Sequence, residues 1–247
     1  MKHAVEDITL FDDKADTREK LILVAIRMFA EQGFAGVSMR TINSAAGTRN
    51  SSAVHYHFGN KSGIIQAIFD KLESQLRPLF DRLVLELQQR HQEGKLQVDD
   101  VVMAVQLPFW LLYNTPGYGR HAVKLVARLI QEADTEMQDL YNGYIKEPAA
   151  GLYTLLRGLL PEKREQHLKF QLVHCLMATI SGMATMDQLP RTPLGDIRFE
   201  QELELLLTYV QFVSRGMSCQ SHDVSLDMSF WGRYAEYLMP TPVSAAT

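Results

Sequence analysis

The chain has 247 residues, 46% hydrophobic and 22% charged, enough apolar material for one large core or two smaller ones and no bias toward a disordered or fibrous chain. Its formal net charge of −4 excludes a general polyanion binder, yet the charge is unevenly spread. Residues 14–77 hold nine Lys or Arg against five acidic residues, an excess of four positive charges, which leaves −8 on the remainder. Phosphate contact is therefore expected at one end only.

The opening "MKHAVEDITLFDDKAD" has no long apolar run and no small-residue cleavage pattern, so residues 1–15 read as a flexible arm and not as a signal peptide. Asp16 with Glu19 suggests a capping box for a first helix that ends at Gly33 and packs through Leu21, Val24, Ala25, Met28 and Phe29. Ser38 is a good N-cap for a second helix of about two turns, with Met39, Ile42 and Ala46 on one face and Gly47 as its stop. Helices so short hold only when docked on neighbours. A third helix is predicted from about Asn50 to Tyr56, anchored by Val54 and closed by Phe58, Gly59 and Asn60. Asn60 can cap a fourth, whose inner stripe is Ile64, Ile65, Ile68, Phe69 and Leu72, and Pro78 is expected to break or kink it.

Short helix, glycine turn, short polar helix is the pattern of a helix-turn-helix. The stretch "RNSSAVHYH" at 49–57 supplies what a helix in the major groove needs. Arg49 can pair bidentately with guanine and Asn50 with adenine, while Ser51, Ser52 and His55 can serve several bases. Backbone N–H groups at the starts of the second and fourth helices, near Ser38 and Lys61, suit phosphates, and Arg40 and Tyr56 can add phosphate contacts. These residues also fit an ordinary solvated bundle surface when each is taken alone.

Residues 17–69 closely resemble the DNA-binding domain of TetR-type transcriptional regulators. The resemblance is carried by "A…MFAEQGFAGVSMR", "INSAAG", "AVHYHFGNK" and the hydrophobic fourth helix, over about a fifth of the chain. It implies that Ser38, Arg40, Tyr56, His57 and Lys61 sit at backbone-contacting positions and Arg49 to His55 in the base-reading helix. Between Gly47 and Phe58 this chain carries one more residue than the common pattern. Which of Arg49, Asn50 and Ser51 faces the bases therefore stays open.

From about Leu79 onward the chain reads as helical throughout, over 79–93, 98–114, 118–133, 135–159, 162–189, 199–216 and 227–238. The breaks are Gly94, "NTPGYG", Gly158 to Pro161 and "LPRTPLGD". The expected fold is all-α. A three-helix DNA-binding domain (16–61) is joined by a helix over 62–77 to a helical effector-binding and dimerisation domain (62–217), with 218–247 as an extension.

A helix-turn-helix reads a near-palindromic double-stranded operator as a twofold dimer. The resemblance places the homodimer interface on the helices at about 162–189 and 199–216. One packing stripe there is Leu168, Leu172, Cys175, Leu176, Thr179 and Gly182, and another is Leu203, Leu206, Leu207 and Val210; both suit an internal core equally. Phe109, Trp110 and Tyr113 form an aromatic group on which Tyr118, His121, Tyr141, Tyr144, Met177 and Met183 can converge, a composition fitting a pocket for a small, mostly apolar effector and also fitting plain core. Arg128 shares a face with His121 and Lys124 and can meet an anionic ligand or stay solvated.

No catalytic, metal or cofactor site is read. "HYH" sets its histidines too far apart around a helix to chelate, and there is no nucleophile elbow, phosphate loop or H-E-x-x-H. Cys175 and Cys219 form neither metal spacing nor disulfide framework, which suits a cytoplasmic protein, and no run of 18 apolar residues suggests a membrane span. The competing reading is a helical-bundle enzyme or protein-binding adaptor, which would show no salt-sensitive DNA binding.

Overall fold

The computed structural model describes residues 17–48, 52–132 and 135–219. It is all-helical, with no β-strand among these residues: α1 (Thr17–Gly36), α2 (Met39–Ala45), α3 (Ala53–Phe58), α4 (Lys61–Gln92), α5 (Val98–Tyr113), α6 (Gly119–Glu132), α7 (Thr135–Leu159), α8 (Glu165–Ala184), a 3-10 turn (Met186–Arg191) and α9 (Glu202–Ser218). The helix expected at 227–238 and the Asp16 cap lie outside the described residues.

The N-terminal elements follow from local chemistry. Gly33 interrupts α1 with φ 75°, a left-handed conformation open to glycine and strained for other residues. Ser38 caps α2 through a reciprocal pair: Thr41 N–H donates to Ser38 Oγ at 3.1 Å, and Ser38 N–H donates to Thr41 Oγ1 at 2.9 Å. Helix α3 starts at Ala53, later than the predicted Asn50, and runs six residues. Asn60 Oδ1 accepts from the Gly63 amide at 2.8 Å to cap α4. Gly63 is required there by close approach, because a Cβ would stand 2.0 Å from the Phe58 carbonyl oxygen.

One expectation is overturned. Pro78 does not end the fourth helix; the segments expected at 62–77 and 79–93 are one helix of 32 residues. Proline removes one backbone bond and leaves the Ser74 carbonyl without its helical partner. Apolar anchors on both sides of the proline, Leu72 and Phe80, are buried and keep both halves docked, so the expected break does not occur. Prolines 108 and 148 are carried inside α5 and α7 in the same way. The segment expected as one helix over 162–189 is instead α8 followed by the 3-10 turn. Thr185 closes α8 by donating its hydroxyl to the Ser181 carbonyl at 3.0 Å.

Two apolar cores result. The first runs without a gap from the small N-terminal bundle into the body, joining Phe29, Ile42, Val54 and Ile68 to Phe109, Leu125, Leu129 and Ile180. The second fills the far end between α4, α5, α7, α8 and α9, around Val101, Leu156, Leu168 and Val210.

Candidate nucleic-acid interface and effector cavity

At the N-terminal end, Val54 is buried while Ser52, His55 and Tyr56 are exposed on the outer face of α3. Tyr56 is 83% exposed, the side chain of a large ring with no core to pack in, and it meets His57 edge-on at 5.1 Å. Ser38 and Arg40 are also exposed at the start of α2. Two of the expected contacts are partly committed within the chain. His55 Nδ1–H donates to the Gly59 carbonyl at 2.9 Å, which leaves Nε2 as an acceptor. Lys61 is half-buried and donates its ammonium to the Phe34 carbonyl, over the face of Phe29. Arg49, Asn50 and Ser51 lie outside the described residues.

Sequence reasoning missed the residue that holds the turn. Asn43 is buried, and its Oδ1 accepts from the Val54 amide at 3.3 Å and the Thr48 hydroxyl at 2.9 Å. Since Ser52 makes no side-chain cap, Asn43 performs that task from α2. The available signal was a polar residue between the inward positions Ile42 and Ala46.

The body holds a cavity of about 210 Å³ between α4, α5, α7 and α8. Its walls are Phe69, Leu72 and Phe80, Val105 and Phe109, Leu152, and Leu172, Leu176 and Met177, with Tyr141, Tyr144, Glu73 and Arg77 as polar groups. Of the expected effector residues, Phe109, Tyr141, Tyr144 and Met177 come together here, whereas Trp110, Tyr113, Tyr118, His121, Arg128 and Met183 do not line it. Trp110 stacks on Tyr113, and Tyr118 donates to Gln75 of α4, so the three are engaged elsewhere although Phe109 directly precedes Trp110.

His121, Lys124 and Arg128 are each engaged with acidic partners of the protein itself. They make a seam. His121 lies 3.3 Å from Glu31, Lys124 pairs with Asp187 at 2.8 Å, and Arg128 pairs with Glu132 at 2.6 Å. Arg128 also donates to the Ala30 carbonyl at 2.8 Å and the Glu31 carbonyl at 3.3 Å. The last carbonyls before the Gly33 break are thus capped by a cation from α6.

Residues Glu73 and Arg77 were not singled out from sequence, nor was Pro148. Arg77 bridges Glu73 and Glu147, each at 2.9 Å, and its pKa is raised chiefly by the hydrogen bond to Glu73. The Tyr144 hydroxyl donates to Asp70 at 2.6 Å and accepts from Gln66; burial first, then Asp70, pushes its pKa up.

Along α8 and α9, Leu168, Leu172, Cys175 and Thr179 are turned into the protein's own core, with Leu206 and Val210. They are not the outward stripe. The exposed apolar side chains of α8 and α9 are Phe170, Val173, Met177, Leu203, Leu207 and Phe212, the last 78% exposed.

These features define a fold class: a small helix-turn-helix bundle that shares its core with an all-helical body. Residues 21–68 match the family model described as bacterial regulatory proteins, tetR family. A 64-residue segment is 34% identical to the HTH-type transcriptional regulator AcrR of Shigella flexneri, covering 26% of this chain and 29% of that protein. The whole fold is similar to PfmR, a TetR family transcriptional regulator from Thermus thermophilus, with a TM-score of 0.55 at 16% identity over 81% of this chain and 96% of that one. A transcriptional regulator of Aquifex aeolicus VF5 gives a TM-score of 0.50 at 17% identity over 82% and 98%. The N-terminal segment thus carries the tetR-type sequence pattern, the chain spans under a third of the length of the curated relative it matches, and the likeness of the remainder to these structures is one of fold. No helix among the described residues is long and apolar enough to cross a membrane.

Proposed function

We propose that the chain is a ligand-responsive, sequence-specific DNA-binding regulator, a repressor released from a near-palindromic operator when a small, mostly apolar effector enters the α4–α5–α7–α8 cavity. The observation that carries this reading is the continuity of α4, which begins beside the exposed face of α3 and forms one wall of the cavity without a break. Residues 16–61 read DNA, and 62–217 bind effector and dimerise.

Base reading falls to Arg49, Asn50, Ser51, Ser52 and His55, and phosphate contact to Ser38, Arg40, Tyr56, His57 and Lys61 with the amides around them. The exposed faces of α8 and α9 pair with a second copy. Phe170, Phe212 and their neighbours are too apolar a stripe to leave in water, and a twofold dimer presents two recognition helices to successive major grooves. Effector binding favours a different spacing of those helices. Operator affinity then falls by the coupling between the two states, typically about 1–3 kcal/mol, and DNA weakens effector binding by the same factor.

The test is a selection of bound genomic fragments with purified protein at two salt concentrations. Enrichment of a near-palindrome with half-sites about one turn apart is expected. Binding that is salt-sensitive but unenriched for any sequence would remove the sequence-specific part of the reading. An adaptor would not bind DNA at all.

A further inference from the structure

Asn142, at the cavity rim, is exposed to solvent, and the remaining polar groups divide into those already satisfied and one that is not. Arg77 is the only cation among the described lining residues. Besides Glu73 and Glu147 it serves the Tyr144 carbonyl at 3.2 Å. That carbonyl is free because Pro148, four residues further on, has no N–H to bond it. The guanidinium is therefore spent on two carboxylates and a backbone oxygen, and the cluster of Arg77, Glu73 and Glu147 carries a net charge of −1. The Tyr144 hydroxyl is occupied by Asp70 and Gln66.

Tyr141 is different. It lines the cavity from α7, and its hydroxyl is buried with no hydrogen-bond partner among the described residues. Burial raises its pKa well above the ordinary tyrosine value, so at neutral pH it is a neutral group able to donate one bond and accept another. A buried polar atom left unmatched in this way costs free energy that a suitably placed ligand group would recover.

The geometry points to one effector class: a neutral, largely apolar molecule whose single hydroxyl or carbonyl group pairs with the Tyr141 hydroxyl. This rests on reading the cavity as the effector site. A carboxylate entering it would meet a guanidinium already neutralised and a local excess of negative charge, and would lose its hydration without a counter-ion. An ammonium would lose its hydration and find Glu73, the only carboxylate among the described lining residues, already hydrogen-bonded to Arg77. The volume of about 210 Å³ falls below the roughly 300–1,000 Å³ of sites for drug-sized ligands, so one or two fused rings or a short chain is the fitting size.

The experiment is calorimetric titration of the full chain at neutral pH with four probes on one ring frame: naphthalene, 2-naphthol, 2-naphthoate and 2-naphthylmethylammonium. The expected order puts 2-naphthol first, naphthalene roughly threefold to tenfold weaker, and both charged probes at least about a hundredfold weaker. Tyr141→Phe should bring 2-naphthol down to the level of naphthalene and leave naphthalene unchanged. This variant is expected to melt no lower than the parent protein, because it removes an unmatched buried hydroxyl. A second variant, Leu176→Trp, fills the cavity and should abolish 2-naphthol binding. Equal or tighter binding of either charged probe overturns the effector class and leaves the cavity as the effector site. A 2-naphthol preference that survives Tyr141→Phe overturns the class assignment through Tyr141. Binding that survives Leu176→Trp, or no binding by any probe, overturns the cavity reading and the class together.

Discussion

At the recognition end, α2 and α3 span seven and six residues and keep their shape through side-chain-to-backbone bonds: Ser38 with Thr41, Asn43 to Val54, His55 to Gly59. Around the cavity, α4, α5 and α7 span 32, 16 and 25 residues, each carries a proline, and apolar packing holds them. The short helices present polar groups and are stiffened one bond at a time. The long helices enclose an apolar space and tolerate lost backbone bonds, as the Tyr144 carbonyl does by turning to Arg77. A surface that must read hydrogen-bonding patterns needs fixed side chains, whereas a wall that must admit a ligand benefits from local slack. The first core and the Arg128 seam keep the two regions from moving independently.

The largest effect is expected at that shared core. Phe29 is fully buried where bundle and body meet, and Phe29→Ala should cost about 3–5 kcal/mol. Calorimetry should show one transition moved down; two transitions with only one displaced would separate the regions. Next is Asn43→Ala, which leaves the Val54 amide without its cap and should cost about 1–3 kcal/mol. DNA affinity should fall while binding of a cavity ligand stays the same, and a parallel loss of ligand binding would blur the contrast between the two ends. Arg128→Met keeps the stem and removes the cap on α1. Ligand affinity measured without DNA should be retained, while the ligand's effect on operator binding shrinks by about 1 kcal/mol or more. An unchanged ligand effect would show that the seam does not carry the signal.

Smaller effects test the two surfaces singly. Arg40→Ala should leave the stability within about 0.5 kcal/mol of the parent and lower the salt slope of DNA binding by about one. A slope that does not move would take Arg40 off the phosphates. Smallest is a chemical contrast. Burial pushes the Cys175 thiol up to about 11, so near neutral pH it is protonated as well as enclosed, whereas Cys219 is exposed. Thiol labelling of the native protein should modify Cys219 first and reach Cys175 only on unfolding. Rapid labelling of Cys175 would mean that the α8 core opens far more readily than its packing implies.

Much of the recognition end was legible in the sequence because its determinants are local. Ser38, Gly33, Asn60 and the Val54 anchor act within three or four residues, and the stripe of α1 repeats at helical spacing. The start of α3 came out late because the group that caps it, Asn43, lies on the preceding helix. The cavity was half legible. Phe109, Tyr144 and Met177 had the right chemistry, but Trp110, Tyr113 and Tyr118 have the same chemistry and do not line the cavity, although Trp110 directly follows Phe109. Helical periodicity says which face turns inward, not which neighbour that face meets. For the same reason the row His121, Lys124, Arg128 pointed to a surface and proved to be a seam, because its partners Glu31 and Asp187 are distant in the chain. Pro78 misled because the cost of a proline depends on what holds the helix on either side.

That unbroken α4 has a mechanical consequence. At about 1.5 Å per residue, the sixteen positions from Arg77 back to Lys61 make a rigid arm of about 24 Å. A tilt of about 5° at the cavity then carries the tip through about 2 Å, and two arms swinging oppositely in the proposed dimer change the separation of the recognition helices by about 4 Å. One base step along DNA is about 3.4 Å. A ligand that shifts the wall by a fraction of a side chain is thereby geared up to a whole step of misregister on the operator.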